Sequence, residues 1–283
     1  MEKINAGITE DEALVLPFDK KVILADKIIK IAFECLENPI VNFSGGKHSC
    51  FMLHLVLRVR QNVKVVFINN GFELPEVVDF VKTQAKKLDL NYDEATITLS
   101  PKEYIMKYGM SLYDDVPLKK KDYCKFKIGK GCKYRLKIEP MLRYMKMVNS
   151  ESKFLGIMGA ETPFRKMSFR KRGFIYKDSD NLWKIKPIAH FNAEEVNAYI
   201  KEKNIQYPID FYRKFPQTTC YCCGWGMLKK VKDLEMGLPQ SLAVHWPEIW
   251  KAMLSWGVRE ELLKIASYTG DIKLWEFIRK YVY

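Results

Sequence analysis

The sequence predicts an α/β fold in which a parallel, doubly wound sheet precedes a helical C-terminal appendage. Over the first two thirds of the chain, short β-branched runs alternate with helical stretches, which is typical of a parallel sheet with helices on its faces. From about Leu238 onward, Trp, Leu and Ile recur at helical spacing and no further strand signal follows. The spacing of the cysteines predicts a third part of the fold, a cysteine-rich metal-binding module.

Five β-branched runs are predicted to be strands, at 40–43, 63–68, 95–99, 154–158 and 184–188. Helices are predicted at 27–36, 47–60 and 75–88, the last of which opens on a proline whose missing N–H costs nothing in the first turn. Asn192 followed by Glu195 has the pattern of a helix cap with its returning glutamate. We expect three domains: an N-terminal lead and helix (1–36), a sheet domain that includes the cysteine module (37–237) and a helical tail (238–283).

Composition excludes several classes of protein. The chain has 283 residues, of which 48% are hydrophobic, so it can build a large core. No run approaches the roughly 18 apolar residues of a membrane span, and the N-terminus lacks a signal-peptide pattern, so we expect a cytoplasmic protein without a membrane partner. Seven unevenly spaced cysteines indicate metal or thiol chemistry rather than a disulfide framework.

The positive charge is concentrated in two segments. The chain carries 47 Lys and Arg against 34 Asp and Glu, a net charge of +13. Residues 118–137 contain nine basic residues and one acid, and residues 161–177 contain six basic residues and one acid, so these segments together account for the whole excess. Such clustering favours a polyanionic partner, either nucleotide phosphates or a nucleic acid backbone, over a solvated lysine-rich surface.

A glycine pair follows the first predicted strand and precedes a helix. The segment is Ser44, Gly45, Gly46, Lys47, His48 and Ser49. Two glycines allow a tight turn close to a ligand, while the N–H groups and dipole of the following helix favour an anion. The spacing differs from both the P-loop and the dinucleotide fingerprint. The order of strand, glycine pair, lysine and helix predicts a phosphate-binding loop.

Four further motifs complete a resemblance to a known family. The loop is similar to the SGGKDS loop of adenine nucleotide α-hydrolase-like (PP-loop) proteins, which have a Rossmann-like sheet. The segments at 68–76, 132–140, 159–165 and 186–200 resemble, in order, I-D-T-G-x-x-F-P-E, C-x-x-R-K-x-x-P, G-x-E-S-x-x-R and K-P-L with E-x-V-x-x-Y-I. These motifs are characteristic of the phosphoadenosine phosphosulfate reductase branch. The resemblance covers roughly residues 36–226 and stops at the helical tail.

Two departures from the superfamily pattern bear on the reaction. In members that split ATP, an aspartate in the loop and another after the second strand help to hold Mg²⁺, whereas this chain has His48 and Asn69. Without the metal, carboxylates at these positions would repel a polyanion. The resemblance therefore implies a reductase that uses no Mg²⁺.

The resemblance implies a substrate and a reaction. The substrate is adenosine 5′-phosphosulfate or its 3′-phosphorylated form, a thiolate attacks the sulfate sulfur, and a thioredoxin-like donor then releases sulfite. Lys47 and the loop N–H groups are expected to bind the phosphosulfate together with Asn70 and Gly71. Arg165 and the run Arg170, Lys171 and Arg172 are expected to bind the sulfate or a 3′-phosphate.

The nucleophile is predicted from position alone. Members of this family carry a C-terminal E-C-G-x-H motif, but this chain has no cysteine after Cys223. Cys50 follows the loop in the first turn of the helix, where the dipole and Lys47 are expected to lower the pKa of its thiol. The alternative is that Cys50 is a small buried residue that packs the helix on the sheet.

The remaining cysteines predict a metal site. Cys220 and Cys223 form a C-x-x-C-G knuckle, and Cys124 and Cys132 can complete four thiolate ligands. The iron–sulfur members of this family use a vicinal cysteine pair, and this chain has glycine before Cys132. We therefore expect zinc, with a [4Fe-4S] cluster as the alternative. Cys222 is left over as an idle thiol or an alternative nucleophile.

Two other functions fit the same sequence. A sulfur transferase or nucleotide-activating enzyme that modifies tRNA or DNA would suit the same fold and the same positive charge. A noncatalytic nucleotide-binding regulator is the third reading. The aromatic-rich helical tail makes a homodimer plausible.

Overall fold

A computed structural model describes residues 2–109, 132–214, 220–221, 238–270 and 272–283. The chain divides into two compact units. The first unit contains Met1–Ile68, Glu76–Ala95 and Pro140–Pro208, and the second contains Asn69–Pro75, Thr96–Glu139 and Ile209–Tyr283. Among the described residues, no helix combines the length and the apolar character that crossing a membrane requires.

Among the described residues, seven strands form one mixed, mostly parallel sheet. The predicted α/β architecture is confirmed, whereas the sequence predicts five strands in a parallel sheet. The observed strands are β1 (Lys3–Ile4), β2 (Ile40–Asn42), β3 (Lys64–Asn69), β4 (Asn91–Thr96), β5 (Ser152–Leu155), β6 (Ile175–Lys177) and β7 (Trp183–Ile185). Their order across the sheet is β1-β6-β7-β5-β2-β3-β4. β2 pairs in parallel with β3 and with β5, and β5 pairs in parallel with β7. β6 is antiparallel to both β7 and β1.

Helices connect these strands and form the C-terminal segment. They are α1 (Glu10–Val15), α2 (Phe18–Cys35), α3 (Lys47–Val59), α4 (Pro75–Lys87), α5 (Pro101–Tyr108), α6 (Glu139–Met147), α7 (Pro163–Arg172), α8 (Ala193–Glu202), α9 (Ile209–Lys214), α10 (Leu238–His245), α11 (Pro247–Met253), α12 (Arg259–Thr269) and α13 (Ile272–Tyr281). A 3₁₀ turn spans Gly159–Glu161, and π-helical turns span Tyr134–Ile138 and Leu254–Val258.

Both faces of the sheet are covered, which is the doubly wound arrangement. Side chains alternate between the faces along a strand. Val41 and Val65 therefore belong to the larger buried cluster, which also contains residues of α2, α3 and α8. Ile40 and Val66 belong to a second cluster with Met141 of α6. This alternation places helices on both sides of β2, the strand that precedes the phosphate loop, and of its parallel neighbour β3.

The short antiparallel strands were not predicted from the sequence. β6 has only three residues and ends at a turn in which the Asp178 N–H donates to the Leu182 carbonyl. Asn181 adopts φ 60° in this turn, a backbone conformation that asparagine tolerates better than most residues. The predicted strands at 95–99, 154–158 and 184–188 instead occupy 91–96, 152–155 and 183–185.

In the second unit, the described residues from 238 onward form helices and contain no strand. Trp250 is buried, and its Nε1 donates to the Tyr281 carbonyl oxygen at 2.7 Å. Its ring packs edge-on against Phe277. These contacts join α11 to α13 and assign the tryptophan a packing role.

Candidate functional site

The predicted phosphate loop connects β2 to α3. Gly45 adopts φ +71°, and a Cβ atom at this position would lie 2.7 Å from Val81 Cγ2, so glycine is required here. Ser49 Oγ donates to the Gly46 carbonyl at 2.8 Å, and Ser44 Oγ donates to Ser49 Oγ at 3.1 Å. No side chain caps the start of α3. The loop therefore holds the N-terminus of a 13-residue helix open toward a ligand, an arrangement that favours an anion.

Gly156 supports this loop from the segment that follows β5. A Cβ atom at Gly156 would lie 3.0 Å from the His48 carbonyl oxygen and 3.0 Å from the Ser49 N and Cα atoms. These neighbours are backbone atoms, which cannot rotate away. The absence of a side chain at Gly156 thus lets two backbone segments meet at the carboxyl ends of neighbouring parallel strands.

Lys47 is the first residue of α3, and its ammonium group is held next to the loop. Its Nζ donates to Asn197 Oδ1 of α8 at 2.9 Å. Burial lowers the pKa of Lys47 from its ordinary value. The positive charge of Lys47 would attract an anion bound at the loop.

His48, Glu161 and Arg165 form a connected chain of polar side chains. His48 Nδ1 lies 2.7 Å from Glu161 Oε1, and Arg165 pairs with the other carboxylate oxygen of Glu161. Burial and the neighbouring cations of Lys47 and Arg165 lower the pKa of His48 to about 4. His48 is therefore neutral near pH 7 and donates its Nδ1–H to Glu161, because a carboxylate only accepts hydrogen bonds.

The structure separates the predicted basic residues of α7. Arg165 joins the loop network through Glu161, whereas Arg170 Nε lies 2.7 Å from Asp11 Oδ1. Arg172 lies 3.3 Å from Asp178, and Lys171 is exposed to solvent. Of these four basic residues, Arg165 is the one that the structure connects to His48. The binding roles of Arg170, Lys171 and Arg172 stay predictions.

Cys50 lies in the first turn of α3 but is buried. Its side chain belongs to the main core cluster, and its Sγ lies 3.5 Å from the Gly45 carbonyl oxygen. Burial raises the pKa of the Cys50 thiol well above its ordinary value. The sequence predicts a lowered pKa, and that direction is wrong. Loss of hydration at the thiol outweighs the helix dipole, whose effect is a fraction of a pKa unit to about one unit.

Asn70 and Gly71 belong to the second unit, where they form a hydrogen-bonded turn with Cys220. Asn70 Nδ2 donates to Cys220 Sγ at 3.2 Å and to Glu73 Oε1 at 3.2 Å. The Tyr221 N–H donates to the Phe72 carbonyl at 2.8 Å. Burial raises the pKa of the Glu73 carboxyl. The residue after β3 that the sequence analysis assigned to substrate binding is thus bonded to a predicted metal ligand.

Half of the predicted metal site can be placed. Cys132 is half-buried and Cys220 is buried, whereas Cys124, Cys223 and the spare Cys222 lie outside the described residues. Within the described ranges, no group of three or more His, Cys, Asp or Glu side chains could hold a metal ion. Cys220 Sγ accepts from Asn70 Nδ2 at 3.2 Å and lies 4.0 Å from Glu73 Oε1. The zinc site and the cluster alternative stay predictions.

Three contacts of the loop had no role in the sequence analysis. Glu161 was identified as part of a motif, but its pairing with His48 requires a sheet order that places the ends of β2 and β5 side by side. Asn197 lies on the polar face of α8 and gives no signal of its own. Gly156 lies inside the predicted strand 154–158, and a glycine within a strand can indicate a close backbone approach.

Comparisons with known proteins identify the family of the domain that contains the loop. The model of the phosphoadenosine phosphosulfate reductase domain matches residues 38–224. An uncharacterised protein of Methanocaldococcus jannaschii is 29% identical over 231 residues, with 78% of this chain and 50% of that protein covered. This chain therefore spans about half the length of that relative.

Named reductases are more distant. The phosphoadenosine 5′-phosphosulfate reductase of Zymomonas mobilis is 26% identical over 193 residues, covering 65% of this chain and 69% of its own. The adenosine 5′-phosphosulfate reductase of Staphylococcus epidermidis is 25% identical over 204 residues, covering 70% and 76%. The crystal structure of the phosphoadenylyl-sulfate reductase of Candida auris in a phosphate complex has a TM-score of 0.52 and 16% identity, covers 77% of this chain and 98% of its own, and shows the shared fold. Because the domain model matches more than half of its residues, this chain belongs to the phosphoadenosine phosphosulfate reductase family.

Proposed function

We propose that this protein catalyses the thiol-dependent reduction of phosphoadenosine phosphosulfate or adenosine phosphosulfate to sulfite. The observation that carries the proposal is the loop at the uncapped start of α3, with Lys47 beside it and Arg165 held near it through Glu161. This arrangement supplies N–H groups and cations without a carboxylate in the loop itself. Membership of the reductase family supports the same reaction.

The proposed reaction has two displacements at sulfur. A thiolate attacks the sulfate sulfur, an S–S bond forms, the bond from sulfur to the phosphate oxygen breaks, and AMP or its 3′-phosphate leaves. A thioredoxin-like donor then attacks the bound thiosulfonate, and sulfite departs as a disulfide is completed. Lys47 and the helix N-terminus would hold the phosphosulfate, which positions sulfur for attack and stabilises the departing phosphate.

We propose that the attacking thiol is not Cys50. Attack requires a thiolate, and the Cys50 side chain is 5% exposed with a raised pKa. Its contact with the Gly45 carbonyl instead supports the packing of α3 under the loop. We therefore propose Cys222, the cysteine left over from the predicted metal site, as the first nucleophile to test.

We also propose that Cys124, Cys132, Cys220 and Cys223 hold a structural zinc ion. Four thiolates would bind zinc in a tetrahedron and fix the segments that carry them, and the metal would take no part in the displacement. The C-x-x-C-G spacing of Cys220 and Cys223, with two further cysteines at 124 and 132, supports this proposal. Elemental analysis of the purified protein distinguishes zinc from the alternative [4Fe-4S] cluster. Iron with acid-labile sulfide in place of zinc would establish the cluster.

The test of the proposed function measures sulfite. Wild type, Cys50→Ser and Cys222→Ser are each incubated with either nucleotide and reduced thioredoxin. We expect sulfite from wild type and from Cys50→Ser, and a loss of at least about 100-fold for Cys222→Ser because the covalent step is removed. Mass spectrometry of the wild type without thioredoxin should find the sulfonate adduct on Cys222.

Two outcomes would change the assignment. Loss of sulfite in Cys50→Ser with retained thermal stability would return the nucleophile to Cys50 and require a conformation in which it is exposed. Absence of sulfite from wild type with both nucleotides and an intact metal site would overturn the reductase proposal. Salt-sensitive binding of tRNA or DNA would then favour the nucleic-acid-modifying alternative.

A further inference from the structure

His48 lies at the start of α3, where the charge of its side chain would affect the binding of an anion. It is the second residue of α3, directly after Lys47, and its side chain is 27% exposed, so a ligand can reach it. Its Nδ1 is engaged by Glu161. The nitrogen left to meet a ligand is therefore Nε2, which carries no proton in the neutral ring because Nδ1 carries it.

A neutral Nε2 atom is a poor neighbour for a polyanion. Its lone pair would face the oxygens of a phosphate or sulfate, and two acceptors repel each other. A proton on Nε2 turns this contact into a charge-assisted hydrogen bond. The histidine would then carry a positive charge between the Glu161 carboxylate and the ligand, with a hydrogen bond on each ring nitrogen.

We propose that His48 binds the substrate anion as an imidazolium, taking up a proton when the loop is occupied, and that Glu161 is the positioning residue that orients the ring for this contact. The inference rests on the proposed function only in that it takes the phosphosulfate nucleotide as the natural anion. His48 already belongs to the predicted phosphate-binding loop, and the inference adds the protonation state in which its ring binds the anion.

The charged groups around His48 explain why the proton arrives with the ligand. Burial disfavours a positive charge on the ring, and so do the nearby cations of Lys47 in α3 and Arg165 in α7. Glu161 from the 3₁₀ turn is the single carboxylate in contact with the ring among the described residues. The Gly156 segment contributes backbone alone, and α8 contributes the uncharged Asn197. A bound ligand with two or more negative charges would instead favour the protonated, positively charged ring of His48.

The direction of the pH dependence follows from this balance. Burial and the neighbouring cations lower the pKa of His48 to about 4, and this pKa must be higher in the complex if the bound anion stabilises the imidazolium. Affinity should then increase as the pH falls through the pKa of the complex, and level off below the pKa of the free protein. If the pKa of the complex is near 7, the increase between about pH 8 and about pH 6 is about tenfold.

Isothermal titration calorimetry measures proton uptake directly. Adenosine 3′,5′-bisphosphate and inorganic pyrophosphate are titrated into wild type near neutral pH, in buffers with different ionisation enthalpies. Because phosphate groups themselves titrate near pH 6, His48→Gln is the matched control for protons that the ligand exchanges. We expect the wild type to take up up to about one proton more than His48→Gln, and its Kd to fall about tenfold from about pH 8 to about pH 6.

Glu161→Gln tests the positioning role. Glutamine keeps an oxygen near Nδ1 but loses the negative charge that stabilises an imidazolium, so proton uptake should decrease even though the loop still binds the ligand. A merely structural role for Glu161 would change affinity without changing the number of protons. Thermal denaturation of both variants establishes that they are folded.

The outcomes separate this inference from the proposed function. Binding of both probes with equal proton uptake in wild type and His48→Gln would overturn the inference and leave the reductase proposal intact. Pyrophosphate binding with proton uptake, in a protein that releases no sulfite, would support the inference and overturn the reductase proposal. If neither probe binds, the loop is not an anion site and both are wrong.

Discussion

The shape of the phosphate loop depends on two glycines for different reasons. Gly45 provides a left-handed backbone conformation and leaves room for Val81. Gly156 lies on a neighbouring segment and provides room for the backbone of His48 and Ser49. The N–H groups that would bind an anion therefore keep their positions because a residue outside the loop has no side chain.

A methyl group at Gly156 should weaken anion binding. In Gly156→Ala, the added Cβ would lie 3.0 Å from backbone atoms of the loop, so the loop must shift by a few tenths of an ångström. We expect adenosine 3′,5′-bisphosphate to bind about tenfold more weakly, since small misplacements of binding groups cost this much or more. Calorimetric Kd values for wild type and variant check this.

The control for this variant is Gly270→Ala. Gly270 adopts φ +64° in the tail, and no atom lies within 4 Å of an added Cβ. Alanine there should cost about 1 kcal/mol of stability through backbone strain and leave nucleotide binding unchanged. Equal loss of affinity in the two variants would mean that the effect reflects stability and not the position of the loop.

At the scale of elements, α8 is fixed by one glutamate with two functions. Glu195 Oε2 accepts the Asn192 N–H at 2.8 Å, which completes the capping box that the sequence predicts. Glu195 also accepts from Lys21 Nζ of α2 at 2.8 Å, and the Lys21 side chain is only 4% exposed. The cap therefore also neutralises a buried cation.

Replacement of Glu195 should destabilise the protein more than loss of a cap does. Glu195→Gln leaves the ammonium of Lys21 buried without a negative partner, for which we expect a loss of about 3 kcal/mol in the free energy of unfolding. Glu194→Gln, at the exposed neighbouring position, should cost about 0.3 kcal/mol through the helix dipole. Urea denaturation at neutral pH compares them, and similar losses in both variants would contradict the role given to Lys21.

Local sequence signals predicted some elements well and others poorly. The cap of α8, the strand before the phosphate loop and the proline that begins α4 depend on neighbouring residues, and the structure confirms them. Thr9 and Glu12 form the same capping box at α1. That signal was present but was not used. β6 has three residues, too few for a periodic pattern, and its pairing with β1 joins residues far apart in the chain.

For the candidate site, as for the fold, features that are contiguous in sequence were predictable and long-range contacts were not. The glycine pair, Lys47 and the strand–loop–helix order are contiguous in sequence, and they lie together as expected. The partners of His48 and Lys47 come from segments more than 100 residues away, so composition and spacing give no access to them. The raised pKa of Cys50 depends on burial, which a local motif does not specify.

At the scale of the whole molecule, the net charge overstates how many basic side chains are available to bind a polyanion. Among the six basic residues of 161–177, four lie within 4.0 Å of a carboxylate: Arg165, Arg170, Arg172 and Lys177. The partners of Arg170 and Lys177 are Asp11 and Glu2, which are far from this segment in the sequence. Glu161 and Asp178, the partners of Arg165 and Arg172, are sequence neighbours. This segment therefore suits a compact ligand with a few charges better than a long nucleic acid backbone.

The first unit also buries a histidine in its neutral form. The side chain of His190 is 1% exposed, its Nε2 donates to the Lys21 carbonyl at 2.9 Å, and its Nδ1 is buried without a partner among the described residues. Burial lowers the pKa of His190 from 6.5 to about 4. In the unfolded chain the ring returns to its ordinary pKa and takes up a proton more readily.

Stability should therefore decrease as the pH falls from about 6.5 to about 4, because in this window the unfolded chain binds more protons than the folded one. A shift of this size corresponds to about 3 kcal/mol for His190. His48 acts in the same direction with a smaller effect because its ring is partly exposed, whereas Asp178, whose pKa is lowered to about 2, contributes only at lower pH.

Urea denaturation of wild type and His190→Gln at about pH 7 and about pH 4.5 tests this predicted loss of stability. The loss of unfolding free energy between the two pH values should be about 2 kcal/mol smaller in the variant, which keeps an N–H donor for Lys21 but cannot titrate. Equal losses in the two proteins would show that other groups control acid stability.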